Sequence, residues 1–327
     1  MMNKLKRFMR KFGQLSFIKR CLVNIIRGVL LIGLCFIIMY PLIQLLSLVF
    51  MDLGDANNPR IIWIPKNLTL TNVKLAMEIL DYPTSLATTF VFSLVMMVLQ
   101  TIICGLAGYG FARLTFRGSH LLFAGVIATI LVPPQTIILP MYLNFKDFDI
   151  LGLFQLFTGS KVNLLNSPWS MVVLAMTGMG IKSGLYIYIF RQFFKGLPKA
   201  LEEAALIDGA GVVKTFFHIM VPCAKSPAIT VMLFSFVWQW NDTFFSSLFY
   251  GKGNLLSLKL GKLGTHLKGA ILSVLKIVVG DDMKVSPVLE SLVANAAILL
   301  VVLPLLILYL FAQKQFVTGI EKSGIKG

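Results

Sequence analysis

Apolar and polar positions run in long blocks along this chain. Six stretches, 28–50, 85–112, 120–143, 169–190, 226–250 and 287–312, are apolar over the ~20 residues that a helix needs to cross a bilayer. Their order predicts an all-α polytopic membrane protein with six transmembrane helices. Several carry prolines (Pro41, Pro133, Pro134, Pro140, Pro304), which membrane helices tolerate at kinks. Within the 251–286 loop, 269–280 is too short for a seventh span and contains Lys276; it reads as an amphipathic helix on the outer surface. Leu263, Leu267, Leu275 and Val278 fall on one face, and Lys262, Lys268 and Lys276 lie elsewhere.

Composition agrees with the blocks. Of 327 residues 57% are hydrophobic and 13% charged, where a soluble domain carries about a quarter charged. The net charge of +16 does not mark a nucleic-acid partner, because the cations are spread over the N-terminus and short loops. The first 27 residues hold eight Lys or Arg and no acid, which places the N-terminus in the cytoplasm and makes the following run an uncleaved first span. The alternation then puts the five-cation loop 191–225 and the tail with Lys314, Lys322 and Lys326 inside. The balanced loop 144–168 and the loop 51–84 fall outside. The lysine-rich 251–286 loop is the exception, also outside. Cys21, Cys35, Cys104 and Cys223 have neither disulfide-framework nor metal spacing, and His120, His218 and His266 form no cluster. No GxxxxGK[ST] phosphate loop is present, so this chain does not bind ATP in that manner.

The most polar helix-forming segment lies between two spans: LEEAALIDGAGVVKTFFHIMVPCAKSPA, 201–228. Pro198 suits a first helical turn, Lys199 to Asp208 form helix, and Gly209 gives the backbone freedom to leave it. A second segment runs from near Val212 to Ile219, ahead of Pro222. Glu202, Glu203 and Asp208 offer charge to a basic partner, and Ala204 and Ala205 permit close approach of another surface. The expected element is a compact cytoplasmic hairpin tied at both ends to membrane helices.

Glu203-Ala204-Ala205, three residues, Gly209, nine residues, Ile219, one residue, then Val221-Pro222 resembles the Glu-Ala-Ala loop of binding-protein-dependent ABC importer permeases. Val221 stands where leucine is usual. AGYGFARLTFRG (107–118), LVPPQTIILPMYL (131–143), RQFFKGLP (191–198), FSFVWQWND (234–242) and GIEKSGIKG (319–327) resemble the carbohydrate-uptake permeases of the maltose type, in the layout of the shorter maltose permease. The resemblance implies a coupling helix between spans four and five, with Glu202, Glu203, Ala204, Ala205, Asp208, Gly209, Ile219 and Pro222 at the ATPase. It implies two ATPase subunits, which carry the ATP and Mg while this chain holds no cofactor. It also implies a second permease in a heterodimer, an extracytoplasmic solute-binding protein and a sugar substrate. The divisions expected are a basic cytoplasmic segment 1–27, a first span and outer loop 28–84, a permease core 85–313 and a cytoplasmic tail 314–327.

Charged side chains inside spans are costly and mark function. Lys182 and Asp242 lie in spans four and five, where they could pair across helices or line one cavity. As an ion site they would suit a secondary transporter driven by an ion gradient. A membrane-bound sensor or scaffold is a third reading. Phe236, Trp240 and Phe244 share one face of span five; Trp238, Asn241, Asp242 and Phe245 share another. Aromatic faces with fixed polar groups suit a sugar, and helix packing explains them equally. The candidate substrate pathway is Lys182, Trp238, Trp240, Asn241 and Asp242.

Overall fold

The computed structural model describes residues 2–150, 152–275 and 285–324, with side chains left out of account at 2–18, 158 and 314–324. The described residues are helical, with no strand beyond two isolated bridging pairs, Met51 with Leu68 and Phe148 with Val162. In chain order the helices are α1 (Met2–Phe50), α2 (Leu53–Ala56), α3 (Thr71–Ile79), α4 (Tyr82–Arg113), α5 (Ser119–Leu131), α6 (Ile138–Lys146), α7 (Leu153–Thr158) and α8 (Pro168–Met176). There follow α9 (Ser183–Gly196), α10 (Ala200–Ile207), α11 (Val212–Thr215), a π-helical turn (Phe216–Met220), α12 (Val221–Cys223), α13 (Lys225–Asn241), α14 (Phe244–Phe249), α15 (Leu256–Val274) and α16 (Pro287–Gly324). Two compact units divide them. One holds the chain up to Ala76 and α16 as far as Leu299; the other holds Met77 to α15 and α16 from Leu300.

Among the described residues three helices are long and apolar enough to cross a membrane: Lys19–Phe50, Tyr82–Arg113 and Pro287–Gln313. A fourth crossing results if α11–α12 and α13, bent by 75°, are taken together. The other expected spans are interrupted for visible reasons. Within 120–143 the helix stops at Leu131 and resumes at Ile138, because Pro133 and Pro134 remove two donors and force the preceding backbone out of the α region. Within 169–190 it stops at Met176 and restarts at Ser183. Gly178 (φ 71°) and Lys182 (φ 60°) hold left-handed conformations there that no helix contains. Pro41 and Pro304 leave their helices continuous.

In the first unit the C-terminal end of α1 is capped by the loop that follows it. Asn72 Nδ2 donates to the carbonyls of Val49 (3.1 Å) and Met51 (2.9 Å). The Asp55 carboxylate accepts from the backbone N–H of Lys66 and Asn67, both at 2.7 Å, and from Asn67 Nδ2 at 3.2 Å. Trp63 returns to α1, stacks with Phe36 (6.0 Å between centroids) and meets Tyr40 edge-on (5.1 Å).

In the second unit α4 is the spine. Toward its C-terminal end Cys104 and Tyr109 join a cluster with Tyr186, Ile187, Phe190 and Phe194 of α9 and Phe216 and Met220 of the π turn. Toward its N-terminal end Phe92 and Met96 join Phe145, Met171, Leu174, Phe249, Leu255 and Leu258. Small residues allow α4 and α9 to meet, the usual device of membrane interfaces. A Cβ on Gly108 would stand 2.5 Å from Phe190 Cβ and 3.0 Å from the Arg191 nitrogen.

The described part of the expected surface helix, 269–274, is the end of α15, which starts thirteen residues earlier, at Leu256. Leu256, Leu263, Leu267 and Ile271 bury one face, so Leu263 and Leu267 sit as the periodicity predicts, while Leu275 is half exposed and Lys276 and Val278 lie outside the described residues. Two lysines that made this loop exceptional are engaged locally. Lys259 Nζ donates to the Leu80 carbonyl (2.7 Å) and lies 3.7 Å from Asp81 Oδ2; Lys262 Nζ donates to the Gly251 carbonyl (3.1 Å). The tail lysines 314, 322 and 326 also fall outside the described side chains.

Candidate functional site

The segment between α9 and α13 folds as a helix, a tight reversal and a bent second helix. Ala200–Ile207 are mostly strong helix formers, and Pro198 lies just ahead of the first turn. The helix closes in a complete Schellman motif. The N–H of Ala210 reaches the Ala205 carbonyl (2.9 Å) and that of Gly209 reaches Leu206 (3.1 Å). Gly209 stands at φ 79°, a conformation that a Cβ would strain. After α11 the π turn and α12 continue the chain to Cys223, and it bends by 75° at Ala224 into α13.

Two faces of α10 follow. Ala205 is buried against the core. Glu203, Ala204, Leu206, Asp208 and Gly209 are exposed, with Ile207 85% exposed; across the reversal Val213 and Phe217 are exposed too. Ile219 is half-buried against the α4–α9 cluster and Pro222 is exposed. Glu202 departs from the docking role read from the sequence. Its side chain is 18% exposed and lies 3.5 Å, Oε2 to Nε, from Arg113, which is 7% exposed. Arg113 also donates from Nη2 to the Leu197 carbonyl at 2.7 Å. Tyr109, one turn earlier on α4, lies beside the same carboxylate. Arg113 is a residue that the sequence analysis did not single out. Its place four residues after Tyr109, at the end of an apolar run, was the signal available.

The polar residues of the fifth apolar stretch separate rather than converge. Lys182 Nζ stands 4.8 Å over the ring of Trp238. Asp242 is occupied elsewhere. Its Oδ1 accepts from the Phe245 N–H (3.2 Å), and its Oδ2 from the Ser246 N–H and hydroxyl (both 2.7 Å). Among the described residues the side-chain ion pairs are Arg113–Glu202 and Lys259–Asp81, so Lys182 and Asp242 do not pair. By capping α14, Asp242 ends α13 at Asn241. Phe244 therefore does not continue the face of Phe236 and Trp240, whose rings lie 5.7 Å apart. Trp240 is 1% exposed and donates from Nε1 to the Val301 carbonyl (3.1 Å), which makes it a packing residue. Trp238 and Asn241 remain exposed.

A buried polar pair was missed. Ser235 Oγ donates to Gln100 Oε1 at 2.7 Å, and both amide atoms of the buried Gln239 one turn on have no hydrogen-bond partner. Single glutamines within apolar runs gave no pattern. An open groove of about 520 Å³ is lined by Val91, Phe92, Val95, Trp169, Val172 and Tyr250 among others. Its walls are mostly apolar, with polar groups only on Thr88, Trp169 and Tyr250. Among the described residues no three His, Cys, Asp or Glu side chains converge as a metal site would need.

The family profile described as the binding-protein-dependent transport system inner membrane component matches residues 102–322. The chain belongs to that family. This transport component is 27% identical, over 95% of its length and 98% of the other's, to the maltodextrin transport system permease protein of Streptococcus pneumoniae. It is 26% identical, over 94% of its length and all of the other's, to the arabinooligosaccharides transport system permease protein of Halalkalibacterium halodurans. In fold it is similar to a chain of a bacterial ABC transporter involved in the import of the acidic polysaccharide alginate. There the TM-score is 0.66 and the identity 21%, covering 90% of this chain and 96% of that one.

Proposed function

We propose that this chain is a membrane-spanning permease subunit of an ATP-driven ABC importer that takes up a carbohydrate. Membership of the binding-protein-dependent family makes it a transport component and not an enzyme. The sugar reading rests on full-length relatives named for maltodextrin and arabinooligosaccharide transport, joined by the Bacillus subtilis permease named for melibiose, raffinose and stachyose. The observation that carries the mechanism is the exposed turn of α10 closed by Gly209, in which Glu203, Ala204, Leu206 and Asp208 all face outward. This is the surface on which an ATPase subunit docks. Two such subunits supply ATP and Mg, a second permease completes a heterodimer, and an extracytoplasmic binding protein delivers the sugar. Six crossings with both termini in the cytoplasm place this turn on the ATPase side. They treat α5–α6, α8–α9 and α13–α14 as broken spans around the permease core 85–313.

The test is reconstitution with the ATPase, second permease and binding protein that co-purify with this chain. Glu203→Lys is expected to abolish sugar-stimulated ATP hydrolysis and uptake. Undiminished hydrolysis and uptake in this variant would refute the docking assignment. An ion-driven carrier using Lys182 and Asp242 finds no support, since each is engaged by a different neighbour.

A further inference from the structure

Resting on that reading, we propose that Arg113 and Glu202 form the joint through which displacement of α10 is passed to α4. Arg113 is the last residue of α4, and its guanidinium meets two consecutive parts of the chain: the Leu197 carbonyl at the end of α9 and the Glu202 carboxylate in the first turn of α10. The covalent connections of α10 are poor levers. It is preceded by a bend at Leu197–Pro198 and followed by Gly209 and Gly211, a segment with little side-chain bulk to carry force. A charged side-chain link to the end of a 32-residue helix is stiffer. Because α4 runs from the cluster around Phe190 to the cluster around Phe249, moving its Arg113 end moves both.

Energetics favour a positional role. A buried ion pair loses solvation that its attraction barely restores, so it is weak evidence for stability and better evidence for a fixed geometry. This pair is also incompletely closed. Arg113 Nε and Glu202 Oε1 are both buried without a hydrogen bond, and the nearest approach is 3.5 Å. A guanidinium and a carboxylate can close to a two-bond fork, so the link has a second, tighter position available. Neighbouring Glu203 points the other way, exposed. One helical turn thus carries an outward acid for the partner and an inward acid for the core.

The experiment uses the complete complex in vesicles and reads three quantities: ATPase recovered with this chain, ATP hydrolysis rate, and sugar moved per ATP hydrolysed. Glu202→Gln and Arg113→Met are expected to recover the ATPase and hydrolyse ATP at near the unaltered rate. Sugar moved per ATP should fall by about five-fold or more, the low end of a coupling between sites. Arg113→Lys, a point charge without the fork, should fall between, and the exchange Arg113→Glu with Glu202→Arg should recover much of the ratio. An unchanged ratio in both single variants overturns the joint. If the single variants do not assemble, the exchange decides: assembly restored without the ratio overturns it, and both restored supports it. Failure of the unaltered chain to recover any ATPase would sink the docking reading and the joint with it, whereas a working unaltered complex with fully coupled variants sinks the joint alone.

Discussion

Lys182 holds its ammonium 4.8 Å from the ring centroid of Trp238, on a backbone kinked into the left-handed region at φ 60°. The break between α8 and α9 therefore places a cation against α13, and the cation satisfies itself on an aromatic face. Exposed cation–π contacts are worth about 0.5–1 kcal/mol. In a double-mutant cycle on the purified protein, Lys182→Met and Trp238→Leu should show a coupling of that size. Lys182→Met and Asp242→Asn share no partner and should add within about 0.5 kcal/mol. Thermal melting in detergent checks both cycles, and strong Lys182–Asp242 coupling would contradict the geometry.

Gly209 has open space around it, so only its backbone angle restricts what can stand there. A residue with a Cβ at φ 79° costs about 1–2 kcal/mol. Gly209→Ala should therefore lower the melting temperature and weaken ATPase recovery. Gly110→Ala is the control. It is a helical position, also in open space, and should be neutral or gain up to about 1 kcal/mol. Equal effects at both positions would mean that the left-handed turn is not what Gly209 supplies.

Gly108 is the opposite case, with an ordinary helical backbone and no room. A Cβ there meets the Phe190 Cβ and the backbone of α9 on a rigid wall, since both sides are helix. Overpacking of such an interface costs about 1–3 kcal/mol. Gly108→Val should reduce the folded yield and melting temperature more than Val→Ala at the exposed Val98. Comparing the two variants by size-exclusion profile and melting checks it.

The α10 hairpin was legible because its signals are local: helix formers, then a glycine, then a second short helix before a proline. What sequence could not divide was Glu202 from Glu203. Two adjacent acids look alike until a distant arginine, at the end of α4, takes one of them. The breaks split the same way. Pro133 and Pro134 announced the gap after α5, but nothing announced that Lys182 would turn left-handed, or that the Asp242 carboxylate would take the backbone of the next turn and end α13 before Phe244. Periodicity carried the aromatic face only as far as the helix itself continued. In α15 the leucine spacing located the buried face at Leu263 and Leu267, while the start at Leu256 depended on the Thr89 hydroxyl, which accepts from the Leu256 N–H (2.9 Å).

The loop that follows α1 carries a pH-dependent fastening. The backbone N–H of Asn67 is the largest influence holding the Asp55 carboxyl below its ordinary value; burial opposes it, and the Lys66 N–H and Asn67 side chain add to it. A carboxylate with a lowered pKa contributes stability that is fully present above the ordinary aspartate value, about 4, and is lost as pH falls through the lowered one. Between those limits the loop from Asp52 to Leu68 should progressively loosen in acid. Asp55→Asn removes the charge at every pH, so the variant should be looser at neutral pH and insensitive to acid in this range. Limited digestion of this loop by an acid-stable protease, in purified protein between pH 6 and pH 3, reads the difference. A native loop whose cleavage does not rise in acid, or a variant that tracks it, would show that the three bonds to Asp55 do not hold the loop through its charge.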